Sequence, residues 1–107
     1  YKYERPADHP FTHPIAVFHE LAERMPANAV CCIDTGDCTL FWSIGARITK
    51  QQRTLVDMAM GTMGYSLPAA IAAAMHDPNC IPIVIVGDGA LQMTLGELGT
   101  MQQNLAG

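Results

Sequence analysis

The chain has 107 residues and a formal net charge of −4; half of its residues are hydrophobic and 15% are charged. This composition is typical of one globular domain with a modest core, and it excludes a disordered segment. The acidic balance, with no lysine or arginine cluster, excludes the electrostatic surface expected of a nucleic-acid-binding protein. No apolar run is long enough to span a bilayer, and the polar N-terminus is unlike a signal peptide, so we expect no membrane partner.

The first elements are a linker, a helix and a strand. Residues 1–14 are polar and rich in proline, which indicates an interdomain linker ahead of a domain over residues 15–107. A helix is predicted between Pro14 and Pro26, because its apolar residues fall on one face: Phe18, Leu21, Ala22 and Met25. The continuous apolar run from Ala29 to Ile33 then predicts a buried strand.

Two further strands alternate with helices. A short helix is predicted around Leu40 to Ala46, and a strand from Leu55 to Met58. A glycine-rich turn leads into an alanine-rich helix that Pro78 ends, and the apolar run from Ile83 to Val86 predicts a strand of the kind that is covered on both faces.

A last helix is predicted after the third strand. Its leucines fall on one side: Leu91, Leu95, Leu98 and Leu105. Gly96 and Gly99 weaken such a helix, and we therefore expect a closely packed neighbour beside them. The alternation of elements predicts an α/β fold with a three-layer architecture, a parallel sheet with helices on both faces.

A glycine-bearing turn follows each predicted strand, at Gly36, at Gly61 to Gly64 and at Gly87 to Gly89. Open parallel sheets bind ligands at the carboxyl ends of their strands. Gly87 and Gly89 permit backbone conformations closed to other residues, and they let main-chain N–H groups approach a bound anion without a Cβ in the way. Asp88 between them would repel a phosphate, unless Mg²⁺ lies between the carboxylate and the phosphate oxygens.

The cysteines and histidines do not show metal-ligand spacing. We expect reduced thiols, with Cys31 and Cys32 in the core, whereas Cys38 stays open between a place near a cofactor and a structural one. Structural or solvent-exposed roles are expected for the histidines and for Glu97. Two alternatives stay open for Phe41 and Trp42: contact with a neighbouring domain, or with a substrate channel.

Two motifs carry a resemblance to a known family. The run GTMGYSLPAAIAAA and the run GDGALQMTLGEL, in which Asp88 follows Met63 by 25 positions, resemble the diphosphate-binding domain of thiamine-diphosphate enzymes. The acetolactate synthase, pyruvate oxidase and 2-oxo-acid decarboxylase group is the most similar. The resemblance covers residues 15–107 and implies a truncated thiamine-diphosphate-binding fold. The family's second metal ligand, an asparagine, would fall beyond Gly107, since Asn104 is too close to Asp88.

The resemblance implies a role for each residue of the GTMG and GDG motifs. Asp88 would be a Mg²⁺ ligand, and backbone groups of Gly87, Gly89 and Ala90 would contact the diphosphate. The backbone of Gly61 and Met63 would hydrogen-bond the pyrimidine. The Met63 side chain would lie between the two cofactor rings, and its catalytic contribution would be to force the bent conformation that brings them together.

The first turn also matches the family, with one departure. Gly36, Asp37 and Cys38 align with a turn that approaches the diphosphate, and acetolactate synthases carry a Gln-His pair where this chain has Asp37 and Cys38. An acid beside a diphosphate is unfavourable unless it points away or binds something else.

The implied protein is a thiamine-diphosphate-dependent lyase or transferase that acts on 2-oxo acids by decarboxylation, carboligation or oxidation. A neighbouring subunit of a homodimer or homotetramer would supply the pyrimidine-binding domain and its glutamate, so the isolated chain is expected to be inactive. The resemblance also admits FAD in another domain. A cytoplasmic location is expected, with an organelle left open.

Two alternative functions stay open. One is the thiamine-diphosphate subunit of a two-subunit 2-oxo-acid decarboxylase or oxidoreductase, in which the pyrimidine domain is a separate polypeptide. The other is a non-catalytic phosphate- or nucleotide-binding α/β module that uses the GDG turn without thiamine.

Overall fold

The computed structural model describes residues 11–105, and the helices and strands alternate as the sequence predicts. The elements in chain order are α1 (Pro14–Arg24), β1 (Ala29–Ile33), α2 (Asp37–Gly45), β2 (Arg53–Val56), α3 (Ser66–His76), β3 (Ile81–Ile85), α4 (Asp88–Thr94) and α5 (Glu97–Leu105). Residues 1–10, which make up most of the predicted linker and include His9, lie outside the described residues.

The sheet has three parallel strands in the order β2-β1-β3, with β1 in the centre. Ile33, the last residue of β1, pairs with Val56 of β2 and with Ile85 of β3. Because the register is shared, all three strands end at the same edge. The turns that follow them are therefore neighbours in space.

Alternate residues of β1 face two separate cores. Ala29, Cys31 and Ile33 pack with residues of α1 and α2 on one face of the sheet. Val30 and Cys32 pack against α3 on the other face. The strand is buried along its whole length, which explains its continuous apolar run. The predicted three-layer arrangement is confirmed.

Helix α1 begins at Pro14, after His13, whose side chain accepts a hydrogen bond from the N–H of Ile15 at 3.2 Å. Its Phe18 ring meets Trp42 of α2 edge to face, with ring centroids 5.9 Å apart. Trp42 is only 6% exposed, so it belongs to the core of this domain. Both alternatives considered for it, a neighbouring domain and a substrate channel, were wrong. The Phe41 ring lies against His13 of the same domain, with centroids 5.5 Å apart.

Several helix and strand boundaries differ from the prediction. Helix α2 begins at Asp37, before the predicted Leu40, and β2 ends at Val56, so Asp57 and Met58 lie in a loop. Strand β3 begins at Ile81 and ends at Ile85. The predicted last helix is two helices, separated at Leu95 and Gly96.

The expectation about Gly96 and Gly99 was also wrong, because a Cβ added to either would meet no atom within 4 Å. Close approach occurs instead at Gly45, where a Cβ would lie 2.5 Å from the Ile15 carbonyl oxygen, and at Gly64. Gly45 therefore lets α2 pack directly against the backbone of α1.

No helix among residues 11–105 is both long enough and apolar enough to cross a membrane.

Candidate functional site

The three turns that the sequence singles out meet at the carboxyl edge of the sheet. The Cβ position of Gly61 lies 3.7 Å from the Cγ2 of Thr35, which joins the second turn to the first. The Cβ position of Gly89 lies 3.9 Å from the Cε of Met63, which joins the second turn to the third. The Met63 side chain thus ends beside Gly89, although the two sequence motifs lie far apart in the chain.

A buried carboxylate, Asp34, lies at the centre of this edge. It follows β1 directly and is 0% exposed. One carboxylate oxygen accepts hydrogen bonds from the N–H groups of Thr35 and Gly64, each at 2.9 Å. The other accepts from the N–H of Ser66 at 2.9 Å and from its hydroxyl at 2.7 Å. Sequence reasoning treated Asp34 only as the end of a strand.

These hydrogen bonds decide the charge state of Asp34. Burial alone would raise the pKa of its carboxyl, because the charged form loses its hydration. The hydrogen bonds from Ser66, Gly64 and Thr35 stabilise the carboxylate and outweigh burial, so the pKa of Asp34 lies below its ordinary value. The group is therefore ionised at neutral pH and acts as an acceptor only.

A second carboxylate, Asp57, orders the other end of the same loop. It accepts hydrogen bonds from the N–H groups of Ala59 and Met60, each at 3.1 Å, and from that of Thr62 at 3.2 Å. The side chain of Thr62 and these amides lower the pKa of Asp57 to about 2. Its position one residue beyond β2 explains why the predicted strand ends early: the carboxylate turns the chain.

Gly64 ties this loop to α4. Its φ of +87° is disfavoured for other residues, and a Cβ there would lie 2.9 Å from the Cγ2 of Thr94 and 3.4 Å from the Cβ of Met93. Both the positive φ and the close contact therefore require glycine at this position. It fixes the position of the GTMG loop relative to the helix that starts with Asp88.

The backbone of the GDG turn has no positive φ. The residues with positive φ in the described chain are Gly36, Gly61 and Gly64, whereas Gly87 has φ −76° and Gly89 lies inside α4. Neither Gly87 nor Gly89 uses the conformational freedom that glycine permits. What these two glycines provide is a surface without side chains, since no atom lies within 4 Å of a Cβ placed on Gly87.

Asp88 is exposed and begins α4, and Ala90, two residues later, is buried. The first backbone hydrogen bond of this helix runs from the N–H of Leu91 to the Gly87 carbonyl. The N–H groups of Gly89 and Ala90 precede it and face away from the helix ladder. Within residues 11–105 no group of three or more His, Cys, Asp or Glu side chains that could hold a metal ion is present.

The first turn carries Gly36, Asp37 and Cys38. Gly36 has open space on its Cβ side, and Asp37 is exposed as the first residue of α2. The Cys38 thiol donates a hydrogen bond to the Asp34 carbonyl at 3.0 Å, and burial raises the pKa of that thiol. Cys38 thus has a structural role. It also lies next to the carboxyl edge of the sheet.

A cavity of about 380 Å³ opens between this first turn and the second. Its lining includes Thr35, Gly36 and Thr39 on one side and Asp57, Met58 and Gly61 on the other. Met63 lies outside this lining and is 45% exposed beside Gly89.

Cys31 and Cys32 are fully buried in opposite cores, as predicted. Burial, reinforced by the neighbouring thiol Cys32, raises the pKa of Cys31 to about 12. Burial and the thiol of Cys80 raise the pKa of Cys32 to about 11. All four cysteines are free, and these two are protonated at neutral pH.

Asn104, which the sequence analysis rejected as the second metal ligand, lies on α5. Its side chain donates a hydrogen bond to the Thr100 carbonyl of the same helix at 2.8 Å. Asn104 is thus occupied with its own helix.

Fold and edge together define an α/β domain whose glycine-bearing turns are gathered at the carboxyl ends of parallel strands. The chain belongs to the family described as "Thiamine pyrophosphate enzyme, C-terminal TPP binding domain", whose model matches residues 34–106. The resemblance found in the two motifs is therefore confirmed.

Several curated proteins are similar to almost the whole chain. The acetolactate synthase isozyme 2 large subunit of Escherichia coli is 31% identical over 96% of this chain and 18% of its own length. The acetolactate synthase large subunit of Cyanidium caldarium is 37% identical over 92% of this chain and 16% of its own length. An alpha-keto-acid decarboxylase of Mycobacterium bovis is 33% identical over 90% of this chain and 17% of its own length. The chain thus spans less than a fifth of each of these relatives.

Sequence reasoning found the three turns but missed the two carboxylates that hold them. Asp34 and Asp57 each come directly after a strand, at the edge where the parallel strands end together. The hydrogen bonds of Asp34 to Gly64 and Ser66 span 30 and 32 residues and are not visible in a sequence. Those of Asp57 span two to five residues, so an aspartate directly before the glycine-bearing loop was a local signal that the sequence did offer.

Proposed function

We propose that this chain is the Mg²⁺- and thiamine-diphosphate-binding domain of an acetolactate-synthase-like enzyme that acts on 2-oxo acids by decarboxylation or carboligation. Family membership and the names of the relatives support the cofactor and the substrate class. The observation that carries the proposal is the placement of the Met63 side chain beside Gly89, because it brings the GTMG and GDG motifs to one edge.

The residues at this edge fit the cofactor. Gly87 presents no side chain, and the N–H groups of Gly89 and Ala90 lie outside the hydrogen-bond ladder of α4, as donors to a diphosphate must. The carboxylate of Asp88 is exposed beside them and makes no hydrogen bond or ion pair within residues 11–105. A hard divalent cation such as Mg²⁺ would be held by this carboxylate on one side and by diphosphate oxygens on the other.

The second turn would hold the pyrimidine. The N–H groups of Ala59, Met60, Thr62, Gly64 and Ser66 are all bound to Asp57 or Asp34. The N–H groups of Gly61 and Met63, between them, make no hydrogen bond to any described residue. They are therefore free to bind a polar heterocycle. The Met63 side chain would fill the space between the two rings and keep the cofactor bent.

Bound thiamine diphosphate supplies an electron sink for cleavage of the bond next to a 2-oxo group. The residues of this chain would hold and orient the cofactor. Gly36 leaves open space at the first turn, and Asp37 is exposed there, so its carboxylate can point away from the diphosphate.

We further propose that a neighbouring subunit completes the site in a homodimer or homotetramer and supplies the catalytic glutamate. Large apolar side chains are exposed around this edge: Met58 is 74% exposed, Met60 85% and Met93 63%. Exposed apolar side chains gathered beside a site indicate a surface that another domain covers. The free thiols are in keeping with a reducing compartment, and we propose the cytoplasm.

The test is calorimetric titration of thiamine diphosphate, with and without Mg²⁺, into the protein as its source organism makes it. Asp88→Asn should weaken Mg²⁺-dependent binding on the order of 100-fold, because the carboxylate is the only metal ligand that these residues offer. Asp77→Asn is the control, because it makes the same chemical change at a carboxylate that bonds to Asn79 and Arg53 at the opposite edge of the sheet. Unchanged binding in Asp88→Asn would refute the metal-ligand role.

The role of Met63 needs a separate variant. Met63→Ala should lower turnover of a 2-oxo acid while the cofactor stays bound, whereas Met60→Ala, at a more exposed methionine of the same loop, should not. Unaltered turnover in Met63→Ala with the cofactor bound would show that the side chain does not shape the cofactor.

Two measurements separate the alternatives. Tighter binding of ATP or a dinucleotide than of thiamine diphosphate would favour a nucleotide-binding module. The intact mass of the native protein comes first: a mass several times 11.6 kDa supports a multidomain enzyme. A mass equal to 11.6 kDa supports a two-subunit enzyme or a binding module.

A further inference from the structure

Asp34 contacts the end of β3, the start of α2 and the loop between β2 and α3. Its backbone N–H donates to the carbonyl of Ile85, the last residue of β3, at 2.8 Å. Its backbone carbonyl accepts from the Cys38 thiol at 3.0 Å and from the Thr39 hydroxyl at 2.5 Å, both in the first turn of α2. Its carboxylate binds the loop between β2 and α3.

The carboxylate contacts are the ones that shape the loop. They draw the N–H groups of Gly64 and Ser66 inward, and Met63 precedes this pair. Gly64, fixed in this way, packs its bare Cα against Thr94 and Met93 of α4. One carboxylate thereby sets both the direction of the GTMG loop and its distance from the helix that begins with Asp88.

We propose that Asp34 is the positioning residue of the cofactor site: its buried carboxylate holds the loop over residues 61–66 so that Met63 lies against Gly89. This inference rests on the proposed function, in which that loop binds the pyrimidine. Asp34 is fully buried, so it acts through the loop and not by touching the cofactor.

Asp34→Asn tests the proposal because it keeps the size of the side chain and removes one of two acceptor oxygens. Each oxygen accepts two hydrogen bonds, so the amide nitrogen must face at least one backbone N–H, a contact between two donors. We expect the amide hydrogens of Gly64 and Ser66 to exchange at least about 10-fold faster, measured by hydrogen exchange with the protein as its source makes it. Thiamine diphosphate affinity should fall by about the same factor.

Two further variants make the test selective. Ser66→Ala removes only the hydroxyl contact at 2.7 Å, leaves every backbone bond in place, and should give a smaller change in the same direction. If Asp34→Asn does not fold, Ser66→Ala still tests the proposal. Asp77→Asn makes the same chemical change at a carboxylate that caps a remote turn, and it should alter neither the exchange at Gly64 and Ser66 nor the affinity.

A control must separate a general loss of protein stability from a loss of loop positioning. Leu67→Ala, at a side chain that is 6% exposed in the first turn of α3, lowers global stability without touching a carboxylate contact. At matched global stability, Asp34→Asn should weaken thiamine diphosphate binding more than Leu67→Ala does.

The outcomes separate the two proposals. Unchanged exchange at Gly64 and Ser66 in both Asp34→Asn and Ser66→Ala would overturn the positioning role. Faster exchange with unchanged thiamine diphosphate affinity would also overturn it, because the loop would then move without consequence for the ligand. Absence of thiamine diphosphate binding in the unaltered protein would instead overturn the proposed function.

Discussion

Replacement of Gly64 by alanine should destabilise the protein through two effects that the structure separates. The first is backbone strain: at φ +87° a residue with a Cβ costs roughly 1–2 kcal/mol relative to glycine. The second is overlap, since the new methyl would lie 2.9 Å from the Cγ2 of Thr94 and 3.4 Å from the Cβ of Met93. Rotation of Thr94 to its other helical rotamer would relieve only part of the overlap, because the Met93 Cβ is fixed by the backbone.

Gly61→Ala is the matched control. Its φ of +65° imposes a similar backbone cost, but its new methyl would lie at an ordinary 3.7 Å from the Thr35 Cγ2. The difference between the two variants therefore measures overlap alone, which we expect to be roughly 1–3 kcal/mol. Urea unfolding at equilibrium gives both free energies of unfolding.

A double-mutant cycle with Thr94→Ala checks the cause. Removing the Thr94 methyl should recover most of the excess cost of Gly64→Ala, because the two changes share one contact. If Gly64→Ala costs no more than Gly61→Ala, or if Thr94→Ala recovers nothing, the close packing of the loop on α4 is not what requires glycine.

Three further predictions concern charge, thiols and packing. The pKa of Asp57 is about 2 in the folded protein against an ordinary 3.8, so its stabilising effect is present above about pH 4 and is lost as the pH falls toward 2. Asp57→Asn should therefore flatten the plot of unfolding free energy against pH in that window, and an unchanged slope would contradict this. Iodoacetamide at about pH 8 should leave Cys31 and Cys32 unmodified until denaturant is added, as mass spectrometry of peptides would show; native-state labelling of either would contradict their burial. Phe18→Ala should cost about 2–3 kcal/mol, followed by the fluorescence of the single tryptophan, Trp42; a loss well below 1 kcal/mol would contradict the edge-to-face packing.

The sequence was sufficient for the fold because its signals were local. The apolar run from Ala29 to Ile33 and the alternation of elements along the chain predicted a parallel sheet between helices. Pro14 and Pro26 bracketed α1 correctly. Each of these inferences needs only the residues of one element.

The sequence was insufficient where a side chain acts across the fold. Asp34 bonds to Gly64 and Ser66, which are 30 and 32 residues away, and Trp42 meets Phe18 on another helix. Gly96 and Gly99 looked like packing glycines because glycine in a helix is costly, but the glycine that α4 requires is Gly64, on a different element. Which glycine meets a neighbour depends on tertiary contacts that periodicity does not contain.

The long separation between Asp34 and its partners has a consequence for folding. A contact across 30 residues forms only after the intervening chain, with β2, has been brought back to the sheet, and the entropy of closing that loop must be overcome first. The turn that carries Met63 therefore cannot take its final shape in a partly folded chain. Ligand-binding competence at this edge should appear together with the last cooperative step of folding, which makes cofactor binding a direct report on completed tertiary structure.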